Sequence, residues 1–113
     1  MYALADLDPL PQPVGFRLRP LQAGGHKSPL DEPAQIPVGT SVTFAGTSDA
    51  PASAIFAVVD GHFVRGSFAA GHFTIDVPAT ALSRGHHRVA FELVAADLSG
   101  YYKPGRHVDI DVR

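Results

Sequence analysis

The feature that most constrains the fold of this chain is the alternation of apolar and polar residues. The last segment, RHVDIDVR at 106–113, places an apolar side chain at every second position, and the segments at 40–48, 72–78 and 86–97 do the same. Successive side chains of a β-strand point to opposite faces, so each of these segments is predicted to be a strand with one buried face. A helix would repeat its apolar residues every three or four positions. The period of two therefore predicts an all-β protein.

Glycine and proline separate the alternating segments, with 11 Gly and 10 Pro in the chain. Asp60-Gly61 lies between two apolar runs and predicts a tight hairpin, because both central residues of that turn adopt positive φ. The uniformly apolar run AIFAVV at 54–59 predicts a central strand covered on both faces or nearly so. ATALSRG at 79–85 is long enough for a single helical turn and no more.

About seven short antiparallel strands in 113 residues predict one domain, a β-sandwich of two sheets. We place its boundaries at 14–113, with a first strand at 14–21. The Pro-rich residues 1–13 are expected to form an extended leading segment or linker. The polar stretch at 22–39 is expected to be a long connection, with a short edge strand at 36–38.

Two stretches, VVDGHFV at 58–64 and FTIDVPATALSRGHHRVAFELVAADLSG at 73–100, carry a family resemblance. Together with IPVGTSVTFAG at 36–46, they resemble bacterial immunoglobulin-like domains over residues 36–113. The shared features are turn motifs, namely Asp60-Gly61, then Leu82, Gly85 and His87, then Ala95, Asp97 and Gly100. The resemblance implies an immunoglobulin-like sandwich that serves as a spacer, adhesin segment or accessory module of a larger bacterial protein.

Composition excludes several classes of function. The chain has no cysteine, so it has neither a disulfide framework nor a thiolate site. Its net charge is -2 and its nine Lys and Arg residues are scattered, which argues against nucleic-acid binding. No apolar run approaches the roughly 20 residues of a membrane helix. The first residues lack the basic start of a signal peptide. A location at the cell surface or outside the cell is favoured if the domain belongs to a larger chain.

Four of the six histidines directly follow a glycine. Tracing the predicted strands up and down a sandwich brings His26, His62 and His86 to one end of the domain. Three neutral imidazoles are enough for a zinc site with an open position. The alternative, which we favour, is that glycine supplies the turn and histidine is a tolerated polar residue at an exposed strand start. No metal or other cofactor is therefore assigned.

A second candidate site is acidic. If the last two strands pair so that Glu92 lies opposite Asp111 and next to Asp109, the carboxylates would repel unless a cation such as calcium lay between them. We favour the alternative, in which Arg88 and Arg113 flank the acidic residues and solvent screens them. A shift of register would remove the cluster.

A third candidate site is the loop Tyr101-Tyr102-Lys103. Exposed tyrosine beside polar groups suits sugar stacking or a protein interface. The alternative is that one tyrosine folds back onto the core, as happens in sandwiches.

No arrangement of residues predicts catalysis. There is no Gly-x-Ser-x-Gly motif, and Ser83, His86 and Asp97 are predicted to lie too far apart for a triad. We therefore expect a non-catalytic module that spaces, docks or presents a neighbouring domain or another protein. The bare edge strands and the face bearing Arg17 and Arg19 are expected docking surfaces. The second expectation is a carbohydrate-binding accessory module that uses Tyr101 and Tyr102.

Overall fold

The computed structural model describes residues 9–10, 14–23, 26–28 and 34–113, with the backbone alone at 26–28. Most of the predicted leading segment and much of the predicted connection at 22–39 lie outside the described residues. The described strands are β1 Phe16–Leu18, β2 Leu21–Ala23, β3 His26–Ser28, β4 Ala34–Ile36, β5 Val42–Ser48, β6 Ala52–Val59, β7 His62–Arg65, β8 Ser67–Ala69, β9 His72–Val77, β10 Gly85–Ala95, β11 Tyr101–Tyr102 and β12 His107–Val112.

The strands form two sheets. Sheet I has the order β3-β2-β5-β9-β8, with β1 also paired to β5, and sheet II has the order β4-β12-β10-β6-β7, with β11 also paired to β10. Every pairing between these strands is antiparallel except the parallel pairing of β4 with β12. The prediction of an all-β protein with two sheets is confirmed, and the arrangement is that of a β-sandwich.

The core lies between the sheets and comes from the apolar positions of the alternating segments. In β9 buried and exposed residues alternate along the whole strand, and in β12 every second residue is buried. Four phenylalanines meet across the core: the Phe16 ring stacks on Phe73 at 5.1 Å, and Phe91 lies 5.3 Å from both Phe16 and Phe44. Such aromatic pairs add about 0.5–1.5 kcal/mol each beyond the area that they bury.

The Asp60-Gly61 turn confirms the predicted hairpin. Asp60 and Gly61 have φ values of 51° and 80°, so both central residues adopt the left-handed conformation. The turn between β8 and β9 repeats this geometry, with φ values of 52° at Ala70 and 81° at Gly71. In each turn the glycine precedes a histidine that starts the next strand, and the positive φ explains why the glycine is there.

The strands are more numerous and shorter than predicted. The segment at 14–21 is two strands, β1 and β2, because the chain breaks at Arg19 and Pro20 and pairs with β5 in two places. The segment after Asp60-Gly61 also divides, since β7 belongs to sheet II and β8 to sheet I. The short edge strand lies at Ala34–Ile36, slightly before its predicted position.

The predicted helical turn is present as a single 3-10 turn at Ala79–Ala81. Within the described parts of the chain, no helix is long and apolar enough to cross a membrane.

Two residues of the predicted leading segment attach to the sandwich, because Pro9 forms a parallel bridge with Tyr101 and the Leu10 amide donates to the Tyr101 carbonyl at 2.8 Å.

Candidate functional site

The outer face of sheet II carries an apolar area in its middle. Residues directly opposite each other across an antiparallel pair share a face of the sheet. Three rows of such residues cross this face: Phe63–Val58–Ala90–His107, Arg65–Phe56–Glu92, and Ala54–Val94–Tyr101. We call Phe56, Val58, Phe63, Ala90 and Val94 the aromatic patch.

The aromatic patch is most open to solvent at Phe63 on the edge strand β7, whereas Val94 is buried. Phe63 is 46% exposed, and its ring meets that of Phe56 edge-on at 6.1 Å. The guanidinium of Arg65 lies 6.0 Å from the centre of the Phe56 ring, a cation–π contact. Phe56 and Val58 are half-buried rather than covered, and within the described residues no third layer lies over this face. No residue of 54–59 is exposed, since Ala54 is buried and Phe56 and Val58 are half-buried on the outer face, so the prediction of a strand covered on both faces or nearly so is confirmed.

One carboxylate lies among these apolar side chains. Glu92 is half-buried on β10, directly across from Phe56 on β6. Burial raises the pKa of Glu92 because the charged form loses solvation, and the nearby positive charge of Lys103 acts in the opposite direction. Further burial of Glu92 would therefore favour a cationic partner.

The candidate acidic cluster of Glu92, Asp109 and Asp111 does not form. Asp111 pairs with His86 and Asp109 with Arg88, whereas Glu92 lies four to six positions further along β10. The His86 Nδ1 atom lies 2.9 Å from Asp111 and the Arg88 Nε atom donates to Asp109 at 3.2 Å. Each aspartate thus has a cationic or cation-forming neighbour, and Arg88 flanks the acidic residues as the favoured alternative expected. The register that would place Glu92 opposite Asp111 is not the one observed.

The two aspartates change the acidity of His86. Its Nε2 atom also lies 3.3 Å from Asp109, so the exposed imidazole touches both carboxylates. The hydrogen bond with Asp111 raises the pKa of His86 above its ordinary value, and the negative charges of Asp111 and Asp109 add to this effect. This end of the outer face is therefore a surface ion-pair network.

His87 is a buried histidine that the sequence analysis did not single out as a functional residue. Its side chain is 4% exposed, its Nδ1 atom lies 2.7 Å from the Asp60 carboxylate and its Nε2 atom lies 2.6 Å from the Ser83 carbonyl. Both ring nitrogens therefore lie within hydrogen-bond distance of an acceptor oxygen. His87 therefore connects the β6–β7 hairpin to the loop that precedes β10. The available signal was its position in the resemblance, where it follows the Leu-x-x-Gly turn.

The histidine trio considered for a zinc site lies partly outside the described residues. His62 follows the β6–β7 turn and is exposed, and His86 is engaged by the two aspartates of β12. The backbone of His26 pairs with Ala23 at the end of β2, but the His26 side chain lies outside the described residues. No group of three metal-ligating side chains occurs in the described ranges.

The structure separates the two tyrosines of the predicted binding loop. Tyr102 is 6% exposed and points into the core opposite Leu93, so its ring is not available for stacking. Tyr101 points outward opposite Val94 and is half-exposed, and Lys103 is exposed. Tyr101 is the tyrosine of this loop whose ring reaches the surface, at the edge of the aromatic patch.

The residues considered for a triad have other partners. The Ser83 carbonyl accepts from His87, His86 contacts the aspartates of β12, and the Asp97 carboxylate accepts from Ser99 at 2.6 Å. These hydrogen bonds to Ser99 lower the pKa of Asp97. A shallow pocket of 260 Å³ on sheet I, lined by Gly15, Phe16, Arg17, Thr47, Ser48 and Asp49, contains no nucleophile paired with a base.

Neither a protein-family model nor a curated protein matches this sequence.

Proposed function

We propose that this chain is a non-catalytic, immunoglobulin-like docking module of a larger bacterial protein, and that it docks through the aromatic patch. Immunoglobulin sandwiches carry strands A, B, E and D in one sheet and C, F and G in the other. The order β2-β5-β9-β8 in sheet I and the neighbours β12-β10-β6 in sheet II are compatible with that scheme. The turn motifs at 58–64 and 73–100 support the same assignment.

The single observation that carries the docking role is the exposure of apolar side chains on the outer face of sheet II. Phe63 keeps 46% of its surface in water, beside the half-buried Phe56 and Val58. Contiguous exposed apolar area surrounded by polar residues marks interaction surfaces in soluble proteins. Arg65 borders the aromatic patch and supplies part of the polar rim that such interfaces have, whereas Glu92 lies within the patch between Ala90 and Val94.

The test is photo-crosslinking from the patch in the cells that make the protein. A photoreactive phenylalanine analogue at position 63 should crosslink to a polypeptide, identified by mass spectrometry. The same analogue at Val38, which is 50% exposed and follows β4 at the opposite edge of sheet II from β7, is the control. Equal crosslinking from both positions, or none from position 63, would remove the docking role.

A second experiment addresses the larger protein. An antibody against this domain should detect a native polypeptide well above 11.9 kDa, which is the mass of this chain. A native band at the mass of the chain would show that the domain does not belong to a larger protein.

A carbohydrate-binding module is the second candidate, favoured by the outward ring of Tyr101 beside the exposed Lys103. Stacking needs the ring and not the hydroxyl. A glycan found by array screening should bind Tyr101→Phe and lose affinity for Tyr101→Ala. Binding that is unchanged in Tyr101→Ala would exclude this use of the loop.

A further inference from the structure

The aromatic patch has a charge pattern that is complementary to itself. Across one row of the sheet, Glu92 lies on one side of Phe56 and Arg65 lies on the other side. Both flank the same strand, β6, which lies between β10 and β7. A carboxylate and a guanidinium are thus placed symmetrically about the middle of the patch.

We propose that the aromatic patch docks onto the same patch of a second copy of this chain, about a two-fold axis parallel to β6. The proposal rests on the docking role above and names the partner. This axis lies midway between the two facing sheets and runs along the strands. Rotation about it reverses the order of the strands across the sheet, but each row of residues stays at the same height along the strands. It therefore lays β10 of one copy over β7 of the other, in an interface made of the same surface twice.

The charges match in this arrangement. Glu92 lies over Arg65 of the second copy, and Arg65 lies over Glu92 of the second copy. A carboxylate and a guanidinium can form two parallel hydrogen bonds, and this geometry is favourable where water is excluded. The half-burial of Glu92 supports the pairing, because a carboxylate that loses more solvent requires a compensating cation.

The shapes match as well. In the next row, Phe63 lies over Ala90 of the second copy, and Val58 lies over Val58 of the second copy. A large exposed ring opposite a methyl group fills space without a clash, as packed interfaces require. Facing sheets pack about 10 Å apart with their strands within about 30° of each other, which suits two twisted sheets related in this way.

The ion-pair network at the other end of the face remains outside the interface. His86 and Arg88 lie beyond Val59, the last residue of β6, and their partners are on β12. Strand β7 begins at His62, opposite Val59, so no strand of the second copy extends over these groups. The charged end therefore keeps its solvent when the apolar middle is buried.

The experiment is a charge exchange read by molar mass in solution. Sedimentation equilibrium over a concentration series should give twice 11.9 kDa for the unaltered chain. Arg65→Glu and Glu92→Arg should each give monomer, since each places like charges opposite each other. The double variant restores opposite charges at both contacts and should restore the dimer. Arg84→Glu, an exposed change on the loop before β10, is the matched control and should remain a dimer.

A second pair of variants tests the apolar contact. Phe63→Ser should raise the dimer dissociation constant at least tenfold, while Val38→Ser should leave it unchanged, and the two side chains are similarly exposed at 46% and 50%. Circular dichroism establishes that each variant is folded. A chain that stays monomeric at all concentrations, or a dimer that survives both single reversals, would overturn the proposal.

The two proposals fail separately. A monomer that still crosslinks from position 63 to a different polypeptide retains the docking role and rejects the second copy as partner. A monomer without specific crosslinks from position 63 rejects both.

Discussion

At the scale of single residues, His87 links two segments that are distant in sequence. It holds Asp60 at the tip of one hairpin and the Ser83 carbonyl in the loop before β10, and it does so from a position that is 4% exposed. A buried polar group is tolerated when its hydrogen bonds are made, and it becomes costly when one partner is removed. The ring therefore stabilises one end of the sandwich through both nitrogens.

Replacing His87 by leucine should lower the free energy of unfolding by about 1–3 kcal/mol, because the Ser83 carbonyl and Asp60 lose their hydrogen-bonding partner. Urea denaturation measures the loss. His62→Leu, at an exposed position, should change stability by no more than about 0.5 kcal/mol. Asp60→Asn should lower the free energy of unfolding less in the His87→Leu variant than in the unaltered chain, because the contact between His87 and Asp60 is already absent from that variant. Equal costs in both backgrounds would contradict a coupling between the two residues.

The raised pKa of His86 predicts a pH dependence with a defined sign. Because its folded pKa lies above the unfolded value of about 6.5, the protonated ring stabilises the fold. This contribution is complete below pH 6.5 and is lost as the pH rises through the folded pKa. An NMR titration of the ring should show the raised pKa, and Asp111→Asn should bring it down. Asp76→Asn, on sheet I, should leave the His86 titration unchanged, and an effect as large as that of Asp111→Asn would contradict the assigned cause.

At the scale of elements, Gly66 is where the chain passes from one sheet to the other. It follows β7 of sheet II and precedes β8 of sheet I, and its amide donates to the Ile55 carbonyl at 2.9 Å. A Cβ atom on Gly66 would lie 2.5 Å from the Ile75 side chain and 2.6 Å from the Thr74 carbonyl. The close approach of the two sheets, and not a left-handed turn, explains the glycine here.

Gly66→Ala should therefore destabilise the protein by about 1–3 kcal/mol or more, because the backbone of β9 cannot move aside as a flexible side chain can. Thermal and urea unfolding would measure this loss. Gly39→Ala is the contrasting variant, since its Cβ would meet nothing within 4 Å and the cost comes only from its φ of 87°. A smaller effect at Gly66 than at Gly39 would contradict the steric explanation.

At the scale of the whole molecule, the sandwich depends on contacts between residues far apart in the sequence. Ala34 pairs with Ile110, and Phe16 of β1 pairs with Ser48 of β5. Chains of this kind must close long loops before the native contacts form, so they fold slowly for their size. We expect refolding in milliseconds to seconds. Stopped-flow dilution from urea measures it, and refolding in microseconds would contradict this view of the fold.

The period of two determined much of this protein by itself. It assigned the buried faces of β9, β10 and β12, and the burial of Phe91, Ile75 and Ile110 confirms them. Asp60-Gly61 likewise determined a hairpin, because the conformation of a two-residue turn depends on those residues. These signals are local, so the buried face of a strand and the position of a turn can be predicted without knowing which strand lies alongside.

Only the tertiary structure decided which residues became neighbours. Alternation places Glu92, Asp109 and Asp111 on one face, but the offset between β10 and β12 depends on the path of residues 96–106, where β11 intervenes. That offset places Asp111 opposite His86, and the separate register between β10 and β6 places Glu92 opposite Phe56. The contact of His87 with Asp60 is of the same kind. The sequence likewise does not determine whether another layer covers the outer face of β6, because an apolar strand has the same sequence pattern in both cases. The period of a strand is a property of its own residues, whereas register and coverage are properties of the strands and layers around it.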